Sequence, residues 1–308
     1  MEDYIIETKN LTKQYGNYTC INSLCLHVPK GRIYGLLGRN GAGKTTTMKM
    51  LLNVIRPTSG NIYLFQEDYQ NCSQKIYQRI GSLIETPSFY ENLTGRENLE
   101  ILARMRGNFD RERITHILRA VNLDDDRKKI FAKYSLGMKQ RLGIAAAIMH
   151  EPEILILDEP INALDPIGIQ EMRNYMLKLC KESGTTILLS SHVLSEIEHM
   201  ADIIGVMHNG SLLEEISMEE LHKRIRRYAE FEVSNAGKAY SILKNQMRIV
   251  DITMENEHNI RIYGNDIDRC EKMNQCLNQK DILVARIVVC EENLENYFSG
   301  LIGGNSIG

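Results

Sequence analysis

The residues with the clearest chemical purpose in this 308-residue chain are Gly38, Arg39, Asn40, Gly41, Ala42, Gly43, Lys44, Thr45 and Thr46. They spell glycine, four spacer residues, then Gly-Lys-Thr, between the apolar run Ile33–Leu37 and a helical stretch from Lys44 to about Val54. Glycines at 38, 41 and 43 let the backbone curl until successive N–H groups point inward around a phosphate. A helix starting at Lys44 adds the partial positive charge of its N-terminus. Lys44 supplies a mobile cation for the outer phosphates, and the Thr45 hydroxyl is placed to ligate Mg²⁺. A dinucleotide fingerprint would need glycine at position 46, where Thr46 stands.

The second chemical feature is Ile154-Leu-Ile-Leu-Asp158-Glu159-Pro160. A run this apolar reads as a central parallel strand buried on both faces, and ligands in open α/β sheets sit at the carboxyl ends of such strands. Asp158 would then face the Mg²⁺ beside the phosphate loop, and Glu159 would accept a proton from an attacking water.

These residues need a frame. Tyr4–Thr8, Thr19–Val28, Arg32–Leu37 and Asn61–Phe65 read as strands, and the helix after the glycine loop closes before Pro57 and Gly60. From about Glu91 to His150 the apolar spacing turns helical. Strand signals return at Ile154–Leu157, Thr185–Leu189, Ile203–Met207 and Ser211–Leu213, with helices over Pro166–Ser183 and Leu194–Met200 between the first three. That alternation predicts an α/β fold with a mostly parallel sheet, interrupted by a helical subdomain at about 86–150. After a charged amphipathic stretch, Met218–Arg227, the pattern changes. Strands at Tyr228–Val233, Met247–Met254, Asn259–Tyr263 and Asp281–Val289 frame helices at Lys238–Asn245 and Asp266–Gln279. This βαββαβ order predicts a small ferredoxin-like α+β domain over 221–308, following a nucleotide-binding domain over 1–220.

With the glycine loop and the acidic strand in place, the chain resembles the ATP-binding subunit of an ABC transporter, a P-loop NTPase. Tyr15 stands where that family stacks an aromatic ring on adenine. Tyr134-Ser135-Leu136-Gly137-Met138-Lys139-Gln140-Arg141 occupies the signature, Asn162-Ala163-Leu164-Asp165 the D-loop, and Ser190-Ser191-His192 the switch histidine. Two departures are specific: Leu136 and Met138 replace the usual Gly and Gln of the signature, and Glu85 stands where the family has a loop glutamine. Both resemble the bacitracin-resistance and lantibiotic-immunity branch.

The resemblance implies ATP and Mg²⁺ as cofactors. Lys44, Glu159 and His192 would be catalytic, and Thr45, Asp158 and Glu85 would surround the metal. Ser135 and Gly137 would act on a nucleotide held by a second subunit, so a homodimer is expected. Polytopic permease subunits would be met near Glu85–Arg96, and the task would be export of a peptide antibiotic or lantibiotic. An exporter ATPase for another hydrophobic compound, or a soluble ATPase of the same family outside transport, are the alternatives.

Composition bounds the rest. Apolar residues at 43%, charged ones at 25% and a formal charge of −3 describe a globular chain without the basic surface of a nucleic-acid binder. The longest clearly apolar run, Leu142–Met149, is far shorter than the ~20 residues a bilayer span needs. The acidic opening Met-Glu-Asp-Tyr is unlike a signal peptide, and seven cysteines without a CxxC pair suit free thiols. A cytoplasmic protein that reaches the membrane through its partners is the expectation. Met48 and Met50 read as core, and the basic run Arg224-Ile-Arg226-Arg227 as a solvated helix face.

Overall fold

The computed structural model describes residues 3–68, 74–85, 87–107, 109–126, 128–224, 227–291 and Phe298. Cys72, Thr86, Ile225, Arg226 and the glycine-rich end at 303–306 lie outside the described residues. The chain divides into two compact units, residues 1–218 and 219–308.

The first unit opens with β1 (Tyr4–Tyr15), β2 (Tyr18–Leu24), β3 (His27–Pro29), β4 (Ile33–Leu37), α1 (Lys44–Leu51), β5 (Ser59–Leu64), β6 (Glu67–Asp68) and β7 (Ile80–Leu83). Three helices follow: α2 (Gly95–Met105), α3 (Arg111–Ala120) and α4 (Leu136–Ile148). Then come β8 (Ile154–Leu157), α5 (Pro166–Ser183), β9 (Thr186–Ser191), α6 (Leu194–Glu198), β10 (Ile203–His208) and β11 (Ser211–Ser217). Helix α7 (Met218–Arg224) begins at the division between the units.

The expected parallel sheet is there, six strands in the order β11-β10-β4-β9-β8-β7, with β11 alone antiparallel to its neighbour. Every residue of β4, β8 and β9 is buried, because both faces of the sheet are covered. A second, antiparallel sheet runs β2-β1-β5-β6, with β3 also paired to β1. Ile6, Leu11, Tyr34, Leu36, Met48, Ile62, Leu64 and Leu188 form one core. Met48 and Met50, on the helix after the glycine loop, are fully buried in it, as expected.

The helices between β7 and β8 are capped by their own sequences. Thr94 and Glu97 close a capping box on α2, and Asp110 accepts from the N–H groups of Glu112 and Arg113 at the start of α3. Asp165 caps α5, Pro166 takes its first position, and Gly184 ends it in the left-handed conformation.

The second unit contains β12 (Arg227–Val233), α8 (Ala236–Gln246), β13 (Ile252–Met254), β14 (Asn259–Tyr263), α9 (Cys270–Asn278) and β15 (Val284–Glu291). Its sheet is antiparallel in the order β13-β14-β12-β15, the ferredoxin-like arrangement. Ala229, Phe231, Leu243, Ile260, Ile262, Met273 and Leu277 fill its core. On the other side of the sheet Arg261 bonds Glu230 at 2.8 Å, pairs with Glu255 at 3.2 Å and lies over the Tyr228 ring.

Several expected elements differ in extent. The strand read as Thr19–Val28 is two: β2 ends at Leu24 and β3 begins at His27, and between them the Leu26 N–H turns to the Thr8 hydroxyl at 2.9 Å. The strand read as Met247–Met254 survives only over its last three residues. Arg248 is left-handed (φ 55°), and the Ile249 N–H bonds back to the Leu243 carbonyl, closing α8 and burying Ile249. The four residues of β7 were not read as a strand, since pairing with β8 rather than any apolar alternation defines them.

Candidate active site

Three adjacent strands, β4, β9 and β8, run in parallel and end on one edge of the sheet. The glycine loop leaves β4, Asp158 and Glu159 follow β8, and His192 follows β9. This edge is where open α/β sheets bind ligands.

The loop reaches α1 through Gly43, whose φ of 107° an L side chain rarely adopts; a Cβ there would also meet Ile21 Cδ1 at 2.4 Å. Arg39, Asn40 and Gly41 are exposed at the tip, whereas Ala42 is buried. Lys44 is only 5% exposed. Its ammonium donates to the Gly38 carbonyl at 2.6 Å and faces Glu159 Oε1 at 3.3 Å. Thr46 is half-buried and accepts from the Cys20 thiol at 3.4 Å.

Thr45 donates its hydroxyl to Asp158 Oδ2 at 2.6 Å, and Ser190 donates to Asp158 Oδ1 at 2.6 Å. Glu159 holds a left-handed backbone (φ 47°), a strain that structures keep where the surroundings impose it. Its N–H donates to Ser190 Oγ at 2.9 Å, its carbonyl accepts from Gln140 at 3.3 Å, and its Oε2 lies 2.9 Å from His192 Nδ1. Glu159 Oε1 is buried and makes no hydrogen bond, with only the Lys44 charge facing it among the described residues.

A buried carboxylate oxygen with a free lone pair, beside a lysine, is fitted to accept a proton from a polar ligand. The Thr45 hydroxyl with the Asp158 carboxylate is a hard oxygen donor set that suits Mg²⁺. Loop, lysine and donor set therefore fit a magnesium–nucleotide.

The structure brings together Lys44, Thr45, Asp158, Glu159 and His192. Glu85, two residues beyond β7, is exposed and left-handed (φ 61°) and is hydrogen-bonded to Lys49, one turn beyond Thr45 on α1. Tyr15 is half exposed at the end of β1, with the Lys13 ammonium 4.9 Å over its ring. Ser135 caps α4 by accepting from the Met138 N–H at 3.2 Å. Gly137 lies so close to Ala163 that a Cβ there would meet its carbonyl at 2.8 Å, placing the signature against the D-loop. Leu136 beside it is 60% exposed.

The sequence reading missed the parts played by Ser190, Gln140 and Lys49. A serine closing an otherwise apolar strand two residues before His192 was the available signal for the first. Nothing local marks the other two, whose partners lie 19 and 36 residues away.

Strand, glycine loop and helix, with lysine and threonine at the helix start and an acidic pair on a neighbouring strand, define a P-loop nucleotide-binding protein. The chain belongs to the ATP-binding proteins of ABC transporters. The ABC transporter family pattern matches residues 21–162. The bacitracin transport ATP-binding protein BcrA of Enterococcus faecalis is 55% identical over 305 residues, 99% of this chain and 98% of that protein. The lantibiotic transport ATP-binding protein SrtF of Streptococcus pyogenes is 43% identical over 209 residues, 68% of this chain and 89% of that protein. A solved ATP-binding subunit of an ABC transporter shares the fold with a TM-score of 0.64 at 28% identity, covering 71% of this chain and 92% of that one. Among the described residues no helix is long and apolar enough to cross a membrane.

Proposed function

We propose that this chain binds and hydrolyses magnesium–ATP to drive export of a peptide antibiotic, bacitracin first, through separate membrane-spanning subunits. The observation that carries the hydrolysis is the convergence of Lys44, Thr45, Asp158, Glu159 and His192 at the ends of three neighbouring strands. The full-length likeness to a bacitracin transport protein, reaching through the second unit, supports the substrate.

The chemistry is in-line attack of water on the terminal phosphoryl, with positioning and charge supplying most of the catalysis. Lys44 and the loop N–H groups bind the outer phosphates. Glu159 orients the attacking water and takes its proton on the buried Oε1, while His192 on Oε2 fixes the carboxylate's direction. Mg²⁺, held by Thr45 and Asp158, would supply neutralising charge at the phosphates. Tyr15 offers its exposed ring to adenine. Glu85 stands at the rim, its charge offset by Lys49.

Ser135 and Gly137 act on the nucleotide of a second copy, which makes the working unit a dimer with two sites. The segment after Glu85 leads into an apolar cleft of about 400 Å³ lined by Phe89, Tyr90, Ile101, Leu102 and Met105. That cleft suits the permease, and the protein works on the cytoplasmic face of the membrane.

The test is co-expression of the full chain with its membrane partners in a bacitracin-sensitive bacterium. Raised tolerance that disappears with Lys44→Ala is expected. Unchanged sensitivity to bacitracin, with phosphate release by the purified chain intact, would move the substrate to another peptide antibiotic.

A further inference from the structure

Ser190 is fully buried at the end of β9, beside β8, and its one hydroxyl makes two bonds to neighbouring residues of the site. It donates its proton to Asp158 Oδ1 at 2.6 Å and accepts the Glu159 backbone N–H at 2.9 Å. The two bonds are compatible, since the hydroxyl has one proton to give and lone pairs left to receive the amide. We propose that Ser190 is a positioning residue for the hydrolysis, setting the metal-side carboxylate and the water-activating carboxylate together through this one hydroxyl. The inference rests on the ATPase reading above.

The two oxygens of Asp158 have different neighbours. Oδ2 accepts from Thr45, at the mouth of the loop; Oδ1 accepts from Ser190, out of reach of solvent. With Oδ1 pinned, the carboxylate cannot rotate, and Oδ2 and the Thr45 oxygen stay on the side where a cation would bind. Charge-assisted hydrogen bonds of this length are the strong ones.

The Glu159 backbone is the second object of the clamp. Its left-handed conformation turns its N–H out of line with the β8 ladder and into Ser190 Oγ. Without that acceptor the amide would be buried and unpaired, a cost that favours relaxation of the backbone. Relaxation would swing the side chain away from Lys44 and His192, which now face its two oxygens at 3.3 and 2.9 Å. A merely structural serine would cost stability when removed but leave the folded molecules equally active.

The experiment compares the full-length parent, Ser190→Ala, the near-isosteric weak donor Ser190→Cys, and Ser190→Thr, which keeps a hydroxyl. Three quantities are read per folded molecule: ATP hydrolysis against Mg²⁺ concentration, binding of a fluorescent ATP analogue in EDTA, and Mn²⁺ uptake with nucleotide by electron paramagnetic resonance. Alanine and cysteine should lower kcat by about 10- to 100-fold, the equivalent of one buried hydrogen bond to a charged group. They should weaken Mn²⁺ binding several-fold, leave metal-free nucleotide affinity within twofold, and be surpassed in kcat by threonine if that variant folds. Alanine and cysteine variants with parental kcat and Mn²⁺ binding would overturn the inference while leaving the ATPase reading standing. A parent that hydrolyses no ATP would remove the reading itself, and the inference with it.

Discussion

Strands β7 and β8 lie side by side in parallel, and a glutamate stands just beyond each in the left-handed conformation. Glu159 is mostly buried, its carboxylate between Lys44 and His192 and one oxygen unbonded. Glu85 is 64% exposed at its side chain and paired with Lys49. Residue type and backbone conformation are the same, so the chemistry is decided by surroundings. A carboxylate whose free lone pair is kept from water is available to a reacting proton. One already engaged by a neighbouring ammonium in solvent is a structural or coupling charge.

The sharpest way to break this contrast is Glu159→Gln. It should keep ATP bound and slow phosphate release by about 10²–10⁴, the usual loss for a general base. Nucleotide retention on a filter together with a phosphate assay reads both; near-parental turnover would give the proton to some other group.

Glu85→Gln should do far less. An exposed ion pair contributes up to about 1 kcal/mol, less than a tenfold change in rate. If the same phosphate assay showed a loss matching that of Glu159→Gln, Glu85 would belong inside the reaction after all. A double-mutant cycle with Lys49→Gln and Glu85→Gln sharpens the point: thermal melts should give a coupling under about 1 kcal/mol, fading with salt.

The smallest effect concerns what holds the start of β7. His150 Nε2 lies 3.1 Å from the Ile80 carbonyl, while its Nδ1 is buried with no hydrogen-bond partner among the described residues. Burial, then the charge of Arg106, pushes its pKa below the ordinary value, and the neutral ring donates to Ile80. The unfolded chain therefore takes up this proton first as pH falls through about 6.5. Stability is whole above that pH and declines below it toward the lower folded pKa. His150→Gln should flatten the fall of Tm between pH 7 and pH 5, and an equally steep fall would clear His150 of the role.

Much of the site was legible because its parts are short and local. Gly38 to Thr46 must curl and then start a helix, and Ile154–Leu157 must be buried before its acidic end. Helix α5 was readable at about Pro166–Ser183, and the structure shows why: Asp165, Pro166 and Gly184 bound it, and caps act within a turn. The antiparallel sheet around β1 and the edge strand β7 were not, because strand pairing is a choice between distant segments. Nor was the serine clamp: Ser190 meets Asp158 across 32 residues and Glu159 across 31.

What the amino-acid order determined alone was the set of groups able to handle a nucleoside triphosphate and the local turns that present them, since backbone freedom, helix starts and apolar runs act over a few residues. Only the tertiary structure decided how differently the two glutamates are surrounded. Both glutamates face an ammonium, Lys44 and Lys49, but burial and an unbonded oxygen are properties of the space between strands, and they set Glu159, which the sequence marked as the proton acceptor, apart from the exposed Glu85.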